Sequence, residues 1–237
     1  MAAVGAMAGS ATLPVLPRRT VNQGSTQCCV SCALGAAMEA RNASWDPLSP
    51  VFHYHVTRFV KGAVADAEGR LTLDAGFATL ITHGICREAL HTSVFDAPGT
   101  ASTPTAAAFA DAAARRMRRV GVSFPKKEIG GTSRVTSVRE HLRSGNPVVM
   151  AFSLPMGYPS TFLNADHEWL DPQAPGPSAS RHCALVVAFD DLRGGGVVRG
   201  AVRVFDSFGR GAFDSGGWWM GYRVLDSAIV QEAWALI

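Results

Sequence analysis

The hydrophobic pattern of this chain changes its period part-way along, and that change limits the folds open to it. From Cys29 to Arg41 apolar side chains recur at Val30, Ala33, Leu34, Ala37 and Met38, the spacing of a helix with one buried face. Leu48-Ser49-Pro50 opens a second helix, Val51 to Val60, with Ser49 suited to capping and Pro50 to the first helical position. A third runs from Thr72 to Thr82 and stops at Gly84. Beyond a Pro/Ser/Thr/Gly linker at Asp96 to Thr105, Ala106 to Arg119 is a fourth and Val135 to Ser144 a fifth, ending at Gly145. After that the pattern shortens. Pro147 to Leu154, Cys183 to Phe189 and Gly200 to Phe205 are β-prone runs between Gly- and Pro-rich turns. Helices first and strands later predict an α+β protein with segregated lobes.

Three regions follow: a flexible leader over 1–17, a mainly helical lobe over 18–118 and a mainly β lobe over 119–237. No internal repeat is visible. Tyr158 to Ser180 is a long proline-containing loop, of the kind that often borders an active site.

With 47% hydrophobic and 17% charged residues, a disordered solvating chain is excluded. The formal charge is only +3. Its densest cluster, Arg115, Arg116, Arg118 and Arg119, reads as a solvated helix face. Without interleaved aromatics it does not suggest a nucleic-acid partner. No run has the length of a membrane-spanning helix. Near the N-terminus Arg18 and Arg19 follow the apolar stretch, whereas a secretory signal has its charges first. A cytoplasmic location is therefore expected, with a specialised secretion route still compatible. The five cysteines are odd in number and uneven: Cys28, Cys29 and Cys32 cluster, while Cys86 and Cys183 stand alone. That is not a disulfide framework, and it predicts reduced thiols. The Asn42-Ala43-Ser44 sequon is read as chance.

The sharpest chemical signal is Val21-Asn22-Gln23-Gly24-Ser25-Thr26-Gln27-Cys28-Cys29-Val30-Ser31. A polar loop delivers a cysteine to the first turn of a helix, where free N–H groups and the helix dipole favour a thiolate, the attacking form. Gln23, six positions upstream of Cys29, has a side-chain amide able to donate. With the Cys29 N–H it can hold the oxyanion of a tetrahedral intermediate. Such a nucleophile needs a base and the base an orienting group. Among seven histidines, His182 directly precedes the β-run Cys183 to Phe189. His53, His55, His83, His91 and His141 lie on helical stretches or their ends and read as packing or surface residues. His167, in the long loop, is the other candidate base. Downstream, Val204-Phe205-Asp206-Ser207-Phe208-Gly209 ends a strand on Asp206, which can take the His182 N–H turned away from sulfur. Phe208 can screen that bond from water.

Rival readings are weaker on the residues. Cys28 lacks the six-residue spacing to Gln23. Cys29-Val30-Ser31-Cys32 is a C-x-x-C, but a polar loop precedes it where a redox motif follows an apolar strand. Cys32 reads as a buried helix residue, and Cys86 and Cys183 as core. A zinc site from Cys28, Cys29, Cys32 and Cys183 lacks a second paired arm. No metal or cofactor is expected.

These motifs resemble the papain-like (C1) cysteine peptidases. Gln23 to Ala33 looks like the family's nucleophile segment, Asp206-Ser207-Phe208-Gly209 stands where the family has Asn-Ser-Trp-Gly, and Gly216-Gly217-Trp218-Trp219-Met220-Gly221-Tyr222 is similar to the aromatic strand of bacterial members. From Cys29 to His182 there are 153 positions, against the roughly 130–150 expected. Weaker similarity covers Leu48-Ser49-Pro50, Gly84 to Glu88 and Gly145 to Val149, so the resemblance spans about 18–237. It implies a two-lobed fold, a helical lobe beside a β-barrel-like lobe with the cleft between. It also implies a cysteine-type hydrolase of peptide or amide bonds in which Cys29, His182, Asp206 and Gln23 carry catalysis. The substrate would be a peptide or protein, and Glu68 to Thr72 would border its non-primed part. Departures are Thr26 in place of a disulfide cysteine, Val30 in place of an aromatic, and Asp206 in place of Asn. Only 22 residues precede Gln23, too few for the family's propeptide, so restraint by location, by an unidentified regulatory partner or by narrow specificity is expected. Two alternatives stay open: an inactive binding module on this fold, and an acyltransferase or deamidase using the same thiolate.

Overall fold

The computed structural model describes residues 9–62, 69–118, 122–124, 133–173, 176–194 and 199–237. Its helices are α1 (Cys29–Arg41), α2 (Pro50–His55), α3 (Leu73–Thr82), α4 (Ala97–Ala101), α5 (Ala106–Ala113), α6 (Arg134–Arg143) and α7 (Tyr222–Leu225). Val56–Val60 continues α2 as a π-helical turn, and Glu88–Leu90 is a 3₁₀ turn. The strands are β1 (Ser10–Thr12), β2 (Val122–Phe124), β3 (Val148–Pro155), β4 (Glu168–Trp169), β5 (Pro177–Asp190), β6 (Ala201–Phe205), β7 (Gly217–Gly221) and β8 (Val230–Ala235). They form one sheet in the order β2-β8-β3-β5-β6-β7-β4, with β1 on β5. All pairs are antiparallel except β4 with β7. The α+β class is as expected. Among the described residues no helix is long and apolar enough to cross a membrane.

Local chemistry explains the helix starts. Ser49 Oγ accepts from the Phe52 N–H at 3.1 Å, with Pro50 in the first turn of α2. Thr72 Oγ1 does the same for Ala75 at the head of α3, also at 3.1 Å. Helix α1 has the expected bounds but is buried nearly all round, where the pattern suggested one face. It lies between α2 and α3 on one side and β5 on the other. The polar groups this buries are satisfied: Ser31 Oγ meets His53 Nδ1 at 2.8 Å, and Glu39 accepts from the N–H groups of Leu48 at 2.9 Å and Arg18 at 3.1 Å. Gly76 lets α3 lie against α1, since a Cβ there would stand 2.6 Å from Leu34 Cδ1 and 2.9 Å from Val30 Cγ1.

Three expectations are corrected. Within 1–17, read as a flexible leader, β1 pairs Ser10 with Asp190 and Thr12 with Ala188, and Leu13 is buried with its N–H on the Val187 carbonyl at 2.8 Å. A three-residue strand is too short to show a period, and it forms because β5 offers it partners (residues 1–8 lie outside the described residues). Helix α5 stops at Ala113, short of Arg119. Arg115 folds back onto the Asp111 carboxylate at 2.7 Å and stacks over Trp45 at 5.7 Å, leaving Arg116 and Arg118 exposed. Arg119 lies outside the described residues. Finally, β5 begins at Pro177, so His182 sits inside a strand and not at its entrance, opposite Phe152 of β3.

Candidate active site

Cys29 is the first residue of α1. Cys28 precedes it at φ −90° and ψ 6° without a side-chain cap, so no side chain occupies the first-turn N–H groups. All five cysteines are free, and Cys29 alone is partly exposed. Burial pushes the thiols of Cys28 and Cys86 up to about 12 and raises those of Cys32 and Cys183 well above the ordinary range. That agrees with the reading of Cys32, Cys86 and Cys183 as core residues.

His182 lines the same cleft as Cys29. Its Nε2 meets Asp206 Oδ1 at 2.8 Å, which leaves Nδ1 as the ring nitrogen open to a second partner. The imidazole is 4% exposed and flanked by the rings of Phe152 at 5.7 Å, Tyr158 at 5.4 Å and Phe208 at 5.5 Å. Burial disfavours its charged form, but the Asp206 charge and hydrogen bond, with the Cys29 contact, outweigh this and raise it to about 10. Asp206 closes β6. Its burial works against ionisation and is overcome by His182, then by hydrogen bonds from Trp218 and Tyr158, so its carboxyl lies below the usual range.

Gln23 sits on a loop bound to the Asp206 segment. Its backbone N–H donates to the Ser207 carbonyl at 2.8 Å, and Gly209 N–H donates to the Val21 carbonyl at 2.9 Å. The Gln23 side chain donates through Nε2 to the Thr26 carbonyl at 2.7 Å and accepts at Oε1 from the Ser207 hydroxyl at 2.5 Å. These bonds fix which end of the amide is the donor. Nε2 carries two protons, and the Thr26 carbonyl uses one. Gly24, at φ +54°, makes the left-handed turn that this loop needs.

Cys29 and His182 thus line one cleft, Asp206 holds the imidazole, and Gln23 is tied through Ser207 to the Asp206 segment. His167 is not among them: it is exposed, at φ 56°, and its carbonyl accepts from Trp219 on the far side of the long loop. His53 is fully buried between Ser31 and the Gly76 carbonyl, a packing role. Beside Cys29 and His182 opens a cleft of about 340 Å³ lined by Arg70, Leu71, Leu73, Ala151, Arg181 and Glu232 among others. Glu68 lies outside the described residues. Among the described residues no group of three His, Cys, Asp or Glu side chains could hold a metal.

Two residues of the site were not found from sequence. Tyr158 donates to Asp206 Oδ2 at 2.5 Å and Trp218 Nε1 to the same oxygen at 2.9 Å. Trp218 was visible only as part of an aromatic strand, and Tyr158 lay in the long loop without any spacing signal.

Sheet, central helix and cleft define a papain-like fold, with a cysteine and an imidazole lining the cleft and a carboxylate bonded to the imidazole. Comparison with solved structures agrees. Xylellain, a cysteine protease from Xylella fastidiosa, superposes with a TM-score of 0.75 at 18% identity over 97% of this chain and 87% of its own. A cysteine protease from Carica candamarcensis gives 0.66 at 11% identity, covering 96% and 97%. The clostridial cysteine protease Cwp84 gives 0.66 at 16% identity over 93% of this chain, which spans 55% of that one. No protein-family model matches the sequence, and no curated protein matches it in sequence. The shared property is the fold.

Proposed function

We propose that this chain is a cysteine peptidase acting on peptide or protein substrates, with Cys29 as nucleophile, His182 as acid and base, Asp206 as the orienter and Gln23 as an oxyanion donor. The observation that carries the reading is that Cys29, the one partly exposed cysteine, lines the same cleft as His182, whose ring is held by Asp206.

In the proposed reaction the Cys29 thiolate attacks the amide carbonyl carbon. The carbonyl electron pair moves to oxygen, where the Cys29 N–H and the second Nε2 proton of Gln23 stabilise it. As the tetrahedral species collapses, the C–N bond breaks and imidazolium His182 gives its proton to the leaving amine. Water, losing a proton to His182, then attacks the thioester. The acid product leaves, and the thiolate–imidazolium pair is restored. Five unpaired thiols support work in a reducing compartment.

Labelling with a thiol-directed epoxide followed by mass mapping tests this. Modification confined to Cys29, and lost in His182→Ala, is expected. A folded sample that is not labelled at Cys29 overturns the reading.

A further inference from the structure

Asp206 stands where papain-like sequences carry an amide, and its surroundings say why a carboxylate belongs there. Oδ1 accepts from His182 Nε2 at 2.8 Å and from the Ser207 N–H at 2.7 Å. Oδ2 accepts from Trp218 Nε1 at 2.9 Å and from the Tyr158 hydroxyl at 2.5 Å. Four donors fill the lone-pair sites of a carboxylate. An amide in the same place has one oxygen only. Its NH₂ would face either the Ser207 N–H or the Trp218 N–H, neither of which can accept.

Two of these donors come with the residue's own setting: Ser207 is its neighbour and His182 its partner. The other two arrive from elsewhere. Trp218 is on β7 and fully buried. Tyr158 is on the loop after β3, its ring held against His182, Phe208 at 5.3 Å, Phe162 at 4.8 Å and Phe213 at 6.0 Å. Its hydroxyl therefore reaches Asp206 from a packed position.

The other ionisable groups around Asp206 are few. Among the described residues, Cys32 and Glu39 approach from α1, Cys183 from β5, and Arg19 from the N-terminal segment across a small cavity of about 20 Å³. Among the described residues the bonds to its oxygens come from His182, Ser207, Trp218 and Tyr158.

We propose that Tyr158 is a positioning residue for the reaction: with Trp218 it clamps the outer oxygen of Asp206, keeps that residue a carboxylate at acid pH, and so sets the lower pH limit of the Cys29–His182 pair. This rests on the peptidase reading above. Burial, then the Asp206 charge, raise the Tyr158 phenol well above its ordinary range, so the hydroxyl remains a donor throughout.

The test is the rate of Cys29 alkylation by iodoacetamide against pH, which reads the thiolate without needing a substrate. Wild type should show reactivity well below the range of a free thiol, which has a pKa near ~8.5. Tyr158→Phe, which keeps the ring, should move the acid limb upward by roughly half a pH unit or more. The same change in an Asp206→Asn background should leave the limb in place, because an amide has no charge to lose. Incorporation of 3-fluorotyrosine, whose phenol is the stronger donor, should move the wild-type limb the other way and disturbs folding least. An unmoved limb in folded Tyr158→Phe or in the fluorinated protein overturns the proposal, as does an equal shift in the Asn background. A wild-type profile like that of a free thiol overturns the peptidase reading itself, which separates the two failures.

Discussion

The Ser207 hydroxyl donates to Gln23 Oε1 at 2.5 Å, joining residues 184 positions apart. Through it the segment that carries Asp206 also orients the amide proposed for the oxyanion, since Oε1 held by Ser207 turns Nε2 toward the Thr26 carbonyl. The two halves of the site share one small hinge of hydrogen bonds.

That link predicts a graded effect. Gln23→Ala should lower kcat by about 10²-fold, the usual loss for one oxyanion donor. Ser207→Ala keeps the donor but frees its orientation, and should cost roughly tenfold, the equivalent of about one hydrogen bond. In the double variant Ser207→Ala should add almost nothing. Steady-state kinetics on a fluorogenic peptide measures all three, and full additivity would sink the idea that Ser207 acts through Gln23.

Removing the nucleophile or its base should be far more severe. Cys29→Ser and His182→Ala are each expected to lower kcat by 10³-fold or more, on the order of the loss when one member of a catalytic unit is deleted, and the pair together should cost little beyond either one. Cys28→Ser should retain activity, because its buried thiol plays no part in the proposed chemistry. Loss of activity with Cys28→Ser and retention with Cys29→Ser would reverse the assignment.

The pH dependence has a definite sign. Asp206 is a main cause of the raised His182 value of about 10. In Asp206→Asn the imidazolium loses that support, so the alkaline limb of kcat/KM on a fluorogenic peptide, which needs His182 as the acid, should move to lower pH. Stability follows the same linkage. The His182 contribution is complete below its unfolded value of ~6.5 and fades as pH rises through about 10. The Asp206 contribution, from a lowered carboxyl, is complete above its unfolded value of ~3.9 and fades as pH falls through the folded one. The Tm difference between wild type and Asp206→Asn should therefore be greatest from about pH 4 to about pH 6.5 and shrink on both sides. A difference that is flat with pH would contradict the ion pair.

Packing between α1 and α3 makes a prediction away from the chemistry. Gly76→Ala places a Cβ 2.6 Å from Leu34 Cδ1 and 2.9 Å from Val30 Cγ1, and side-chain ends alone cannot yield at both. Overpacking of this kind costs about 1–3 kcal/mol, or roughly 2–10 °C of Tm for a domain of this size. Because Val30 also lines the cleft, KM should rise with the loss of stability. Calorimetry and kinetics on the same variant check both, and an unchanged Tm would show that the helices separate freely.

The sequence by itself determined what is local. The bounds of α1, the cap Ser49, and the delivery of Cys29 from a polar loop to a helix start all follow from side-chain period and backbone hydrogen bonding within a few residues. His182 and Asp206 could be chosen because a β-run and a strand end mark them. Tertiary structure alone decided what depends on strand register: β1 adding to β5, α1 covered nearly all round, Phe152 opposite His182, Ser207 on Gln23, and Tyr158 on Asp206. Such contacts join segments that nothing nearby in the chain relates. Only a completed sheet brings a loop tyrosine and the end of β6 within one hydrogen bond of each other, so no local pattern could have announced them.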